Sequence, residues 1–129
     1  MRSHRQKTIA KWCADAFGTD HASNVEQRGL RLAEEAIEAA QAAGCDAATL
    51  HKLIDYIYAK EPGRIGQELG GVGLCLLAMA AAAGLDADDE EQLEVSRVMA
   101  KPLSYFAERN RVKNDAGFVA GAWLQPKSD

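Results

Sequence analysis

The chain is expected to be all-α, on three observations. Alanine is used heavily, most densely at Ala78 and residues 80–83, and alanine is the best helix former. The residues that favour strands are sparse, aromatics making up only 6% of the chain, and no strand pattern or internal repeat emerges. Apolar residues instead recur at helical spacing between glycines and prolines that punctuate the chain.

The elements follow in order. A first helix is predicted over residues 7–17, stopped by Gly18, and a polar connector over 19–24. Ser23 followed by Glu26 has the spacing of a capping box, which opens a second helix running to Ala43 and stopping at Gly44. Asp46 can cap a third helix, which carries Leu50, Leu53, Ile54 and Ile57 at helical spacing. Glu61-Pro62-Gly63 breaks the chain. A fourth helix is predicted over 65–83, stopped by Gly84, and a fifth opens at Asp86 or Asp88. Pro102 should kink or restart that last helix. The glycine-rich, polar stretch from Asn110 onward reads as a partly ordered tail, with Phe118 and Trp123 able to dock. Residues 1–109 are thus expected to form one helical domain of four to five helices, and 110–129 a tail.

Composition narrows the function classes. With 129 residues, 47% hydrophobic and 26% charged, the chain is long and apolar enough for a folded domain with a core. A formal net charge of −4 gives no basic field to attract nucleic acid. Cys13, Cys45 and Cys75 are odd in number and lack C-x-x-C spacing, which predicts a reducing, cytoplasmic setting. The basic residues 1–7 are followed by no apolar stretch of the signal-peptide kind. The uncharged run 69–85 is short for a membrane span and rich in glycine and alanine, so a buried core helix is expected instead of a membrane segment.

The chemistry-bearing residues are carboxylates. On the second helix, Glu34, Glu35 and Glu38 are three or four apart and project from neighbouring positions. Like charges at that spacing cost about 0.2–0.5 kcal/mol per pair, which a partner should offset. Arg31, one turn back, can pair with Glu34 or Glu35. Taken alone the motif also fits a solvated helix face, because Val25, Leu32, Ala36 and Ala43 form an apolar arc roughly opposite. The fourth helix adds a second acid. Glu68 is its only charged residue, and a helix apolar all round is expected to be buried on every side. Glu68 is then either a first-turn glutamate favoured by the helix dipole or a carboxylate in a low-dielectric site that needs a cation. Acids on two helices suggest a site for Mg²⁺, a hard cation that takes oxygen ligands and keeps room for phosphates. His51 and Asp55 can share a helix face as a surface pair. Arg109, Arg111 and Lys113 form a basic cluster, either a solvated helix end or a contact for phosphates. No Glu-x-x-His pair supports a di-iron site, and no Cys/His spacing supports zinc.

The order Glu34-Glu35-x-x-Glu38, a further helix, then Glu68-Leu69-Gly70-Gly71 resembles the E-E-x-x-E … E-x-x-D pattern of MazG-like all-α NTP pyrophosphatases. Residues 12–18 are similar to the W-x₄-F-G stretch that opens many small members. Leu53-Ile54-Asp55-Tyr56-Ile57-Tyr58 before a Pro-Gly break, and Gln67-Glu68-Leu69-Gly70-Gly71-Val72, are similar to segments of phage and bacterial members. The likeness spans about residues 8–108. It implies a helical bundle working as a dimer or tetramer, cleaving (d)NTPs to (d)NMP and pyrophosphate with Mg²⁺ or Mn²⁺. It implies Glu35, Glu38 and Glu68 as metal ligands, with Glu34 on a further metal or on the attacking water. Gly71 departs from the pattern where the family has an aspartate, removing one ligand. A silent nucleotide-binding or regulatory dimer of the same fold is the alternative. Trp12, Arg31, Asp55, Arg109 and Lys113 are candidates for substrate contacts, with Phe17, Tyr56 and Tyr58 as further aromatics for base stacking.

Overall fold

The computed structural model describes residues 1–120. Among them it is all-helical, with α1 Arg2–Phe17, α2 Thr19–Ala22, α3 Val25–Ala42, α4 Ala47–Tyr58, α5 Ile65–Ala82, α6 Ala87–Met99 and α7 Leu103–Asp115. Seven helices replace the expected four to five for two local reasons. The connector after Gly18 closes a single helical turn, α2. Pro102 ends one helix and caps the next, so the expected fifth helix is split into α6 and α7.

Most helix ends lie where the residues require them. Gly18, Gly44 and Gly84 take positive φ of 85°, 96° and 72°. At Gly44 the amide of Cys45 reaches back to the Ala40 carbonyl, and the Gly44 amide to that of Gln41, which satisfies carbonyls the helix leaves orphaned. Asp46 caps α4 through the Thr49 amide at 2.7 Å, and Asp86 caps α6 through the Asp89 amide. The start of α3 corrects the capping-box expectation. Asn24, not Ser23, is the N-cap and accepts from the Gln27 amide at 2.7 Å. Ser23 instead donates to the Asp20 carbonyl, closing the α2 turn. Asparagine caps as well as serine, and α2 occupies the residue before it.

The chain divides into two compact units, Met1–Cys45 with Pro102–Asp129, and Asp46–Lys101. In the first, α1 packs on α2 and α7. Trp12 stands edge-on to Phe17 and Phe106, with ring centroids 5.5 and 4.9 Å away. Residues expected to begin a loose tail continue α7 to Asp115. Beyond Gly117, Val119 and Ala120 are buried, and the Ala120 amide donates to Gln27 Oε1 at 2.7 Å. Phe118 is exposed, and Trp123 lies outside the described residues.

In the second unit α5 packs against α6. The expectation that α5 is buried on every side is overturned: none of Ile65–Ala82 is buried. Leu69, Leu74, Leu76 and Leu77 are 56%, 67%, 43% and 58% exposed. A unit of three helices lacks the surface to enclose the central one. By length and composition alone α5 is apolar enough to cross a membrane, with a mean hydropathy of 1.5. Gly70 and Gly71 meet no close neighbour either, since a Cβ on each would touch nothing within 4 Å.

Candidate functional site

The site is built on α3, whose polar stripe, not its apolar one, makes the packed contacts. Val25 is 63% exposed and Leu32 39%. Gln27, Arg31 and Glu34, at helical spacing on another face, are turned into the unit. Gln27 is fully buried and holds Ala120. Arg31 donates from Nη2 to Oδ1 of Asn110 and of Asn114, at 3.3 Å each. Its Nη1 lies 3.6 Å from Glu34 Oε2. Lys113 Nζ donates to Glu34 Oε1 at 2.5 Å. Helix α7 thus meets α3 through amides and charges.

Glu34, Glu35 and Glu38 each bring one carboxylate oxygen within 4.8 Å of the others. Glu34 is half-buried; Glu35 and Glu38 are exposed. Three hard oxygen donors on one turn and a half of helix suit Mg²⁺ or Mn²⁺ in kind. Oxygens at ~2.1 Å around Mg²⁺ stand at most ~4.2 Å apart, close to the 4.8 Å that bounds the three here, so little movement would be needed. Two of them sit on exposed, flexible side chains that allow this. Glu34 offers one oxygen while already bonded to Lys113, so a cation there shares a carboxylate with two basic residues.

Glu68 occupies the first turn of α5 in the second unit and is exposed. It is the dipole-favoured first-turn glutamate, not a carboxylate in a low-dielectric surround. Its carboxylate lies over Gly63 and would have to swing aside for a side chain there. His51 and Asp55 are exposed on α4.

The basic cluster of the sequence separates on the helix. Arg111 is exposed and tied to Glu108 and Asp115 along α7, whereas Arg109 and Lys113 turn to the other side. With Phe17, Arg31, Phe106 and Asn110 they line a cleft of about 70 Å³ between α1, α3 and α7. Arg109 Nη1 is near the Tyr105 hydroxyl at 3.4 Å and stacks over that ring. Trp12 does not line the cleft but backs Phe17 and Phe106, which do.

Sequence reasoning missed His21, Asn110 and Asn114. His21, 8% exposed, meets the Asn110 side-chain amide at 3.2 Å. Burial, helped by Arg28 and Arg31 and opposed by the Asn110 bond, pushes its pKa below the usual histidine value. A neutral ring whose Nε2 accepts from Asn110 Nδ2 leaves Oδ1 of that amide facing Arg31. Burial likewise lowers Arg31 and raises the half-buried Cys13 thiol. A signal for α7 did exist: Phe106, Arg109, Asn110, Lys113 and Asn114 recur at helical spacing on one face. No comparable signal tied His21, on a one-turn helix, to them. Compared with known proteins, the chain matches no family model, no curated protein and no solved structure.

Proposed function

We propose that the chain is a Mg²⁺-dependent nucleoside triphosphate pyrophosphohydrolase, cleaving (d)NTP to (d)NMP and pyrophosphate. The observation that carries this reading is the convergence of Glu34, Glu35 and Glu38 within 4.8 Å, beside a cleft that holds Arg31, Arg109 and Lys113. The donor set fits a hard divalent ion, and the cations fit phosphate. When bound, such an ion supplies charge neutralisation at phosphate oxygens and a more acidic water. Glu35 and Glu38 would hold it; Glu68, which the resemblance implies as a further ligand, stands exposed on the first turn of α5. Glu34 would orient the attacking water or take its proton, with Lys113 and Arg31 fixing the carboxylate. Arg109 stands where it can meet the charge that develops on phosphate oxygens.

A homo-oligomer belongs to the same proposal. It is supported by α4 and α5, which leave Leu53, Ile54, Ile57, Leu69, Leu74 and Leu77 between 44% and 67% exposed. Exposed apolar surface on this scale is normally covered by a partner. A reducing, cytoplasmic setting fits cysteines that all stand free.

One observation favours the silent nucleotide-binding alternative. Gly71 supplies no carboxylate, and Glu34 is already engaged by two basic residues. A panel of dNTPs and NTPs with Mg²⁺ or Mn²⁺, with product identification, separates the readings. Release of pyrophosphate and NMP from at least one nucleotide is expected. Nucleotide binding by calorimetry with no turnover on either metal would leave only the silent binder.

A further inference from the structure

In the first unit one side-chain amide on α7 serves two partners at once. Arg31 carries hydrogen-bond donors only. Its Nη2 directs them at two amide oxygens, those of Asn110 and Asn114, at 3.3 Å each. Asn110 must therefore present Oδ1 to Arg31, which leaves its Nδ2 facing His21 Nε2 at 3.2 Å. Two N–H groups cannot share that contact, so Nε2 is the unprotonated nitrogen of a neutral ring. His21 is buried on α2. Helix α1 presents the Phe17 ring to it edge-on, and α3 presents Arg28 and Arg31. The acid beside it on α2, Asp20, is exposed.

A proton on Nε2 breaks this arrangement. If the Asn110 amide stays as it is, two donors oppose each other at His21. If the amide turns over, Oδ1 accepts from the imidazolium, and Nδ2 then opposes the Arg31 guanidinium. Neither orientation satisfies both sides, and a buried donor left without an acceptor is costly. We propose that His21, Asn110 and Arg31 form a proton-operated switch, in which protonation of His21 turns the Asn110 amide away from Arg31 and loosens α7 from α3. Asn114 and the Lys113–Glu34 pair still hold the two helices, so the change is a local loosening and not unfolding. Burial, helped by Arg28 and Arg31, sets the switch below the ordinary histidine range. Arg31 Nη1 also lies 3.6 Å from Glu34 Oε2, so the switch reaches the acid stripe. Only that consequence for turnover rests on the function proposed above.

NMR of the full chain, titrated from neutral pH towards acid, tests the switch. The His21 ring and the Asn110 side-chain amide are expected to titrate with one shared midpoint. Across that midpoint, hydrogen-exchange protection of the α7 backbone around Asn110 should fall about tenfold or more. Asn110→Asp is the diagnostic variant. A carboxylate accepts on both oxygens, so it serves imidazolium and guanidinium together. The variant should raise the His21 midpoint by about one pH unit or more and abolish the acid loosening. A residue that only filled space would not produce the second effect. His21→Gln stays neutral at every pH, and in it the Asn110 amide and α7 should lose their response. That variant and the wild type decide the matter if Asn110→Asp does not fold. The proposal is overturned if His21 stays neutral until the chain unfolds or if the Asn110 amide does not follow it. Loosening that persists in His21→Gln or in Asn110→Asp overturns it as well. No metal, nucleotide or turnover enters the measurement. A failure of hydrolysis therefore leaves the switch standing, and its own failure leaves the acid stripe untouched.

Discussion

The first unit, Met1–Cys45 with Pro102–Asp129, buries His21 and Gln27 as well as Ala16, Val119 and Ala120. Between residues 46 and 101 no residue is buried, although α5 is the most apolar helix of the chain. Polar residues are therefore enclosed where each finds a partner, while the most hydrophobic segment stands open. A side chain's hydrophobicity states what it gains from burial, ~25 cal/mol per Å², but not which surface provides it. In the first unit an arginine, asparagines, a lysine and a glutamate tie α3 to α7. In the second, α5 packs against α6 and, among the described residues, leaves a surplus of apolar surface exposed.

The largest effect expected is on the acid stripe. Glu35→Gln and Glu38→Gln keep shape and remove charge. Each should cut pyrophosphate release by ~10² or more, a loss of about 3 kcal/mol of transition-state stabilisation. Circular dichroism should show the fold intact. Turnover at the wild-type rate in both variants would remove the carboxylates from the proposed site.

The second unit provides the next test. Wild-type protein should scatter light as a multiple of 13.9 kDa at micromolar concentration. Leu74, 67% exposed, discriminates well. If the chain is monomeric, Leu74→Asp is a surface change of about 0.5 kcal/mol or less. In an oligomer it buries an unpaired charge and should dissociate the assembly. A wild-type mass of one chain would defeat the oligomer, and flotation of the wild type with lipid vesicles would assign α5 to lipid.

Gln27 tests the first unit. Gln27→Ala leaves the buried Ala120 amide without its acceptor and opens space beside it. A loss of ~1–3 kcal/mol in urea unfolding is expected. An unchanged midpoint would show that residues near Ala120 contribute nothing to stability.

The smallest effect concerns pH. His21 is held below its usual pKa by burial, so the unfolded chain binds the proton more readily than the folded one. Stability then rises with pH between the folded and unfolded pKa values and is lost as pH falls through the ordinary histidine range toward the folded value. His21→Gln should flatten that part of the profile. A wild-type melting temperature unchanged between pH 7.5 and 5.5 would remove His21 from the network.

Much of the secondary structure was legible in the residues. Gly18, Gly44 and Gly84 marked helix ends because each takes a left-handed turn that costs other residues energy. Asp46 named a cap, and Pro102 a restart. The acid stripe was legible too, since residues three and four apart meet on any helix. Asn24 displaced Ser23 as a cap because the intervening turn closed on itself, a choice between neighbours of equal propensity. The basic cluster misled in one respect. Arg109, Arg111 and Lys113 are close in sequence, yet helical rotation turns Arg111 to acids of its own helix and leaves the other two on the cleft.

The sequence by itself determined that the chain is helical, where most of its helices start and stop, and that Glu34, Glu35 and Glu38 share a face. These follow from local rules, in which each residue acts on neighbours within about one turn. Only the tertiary structure decided which face of α3 would be packed, that Arg31 would be aimed by Asn110 and His21, and that α5 would stay exposed among the described residues. Those outcomes depend on residues about eighty positions apart meeting in space, and helical periodicity alone carries no record of which distant surface a face will find.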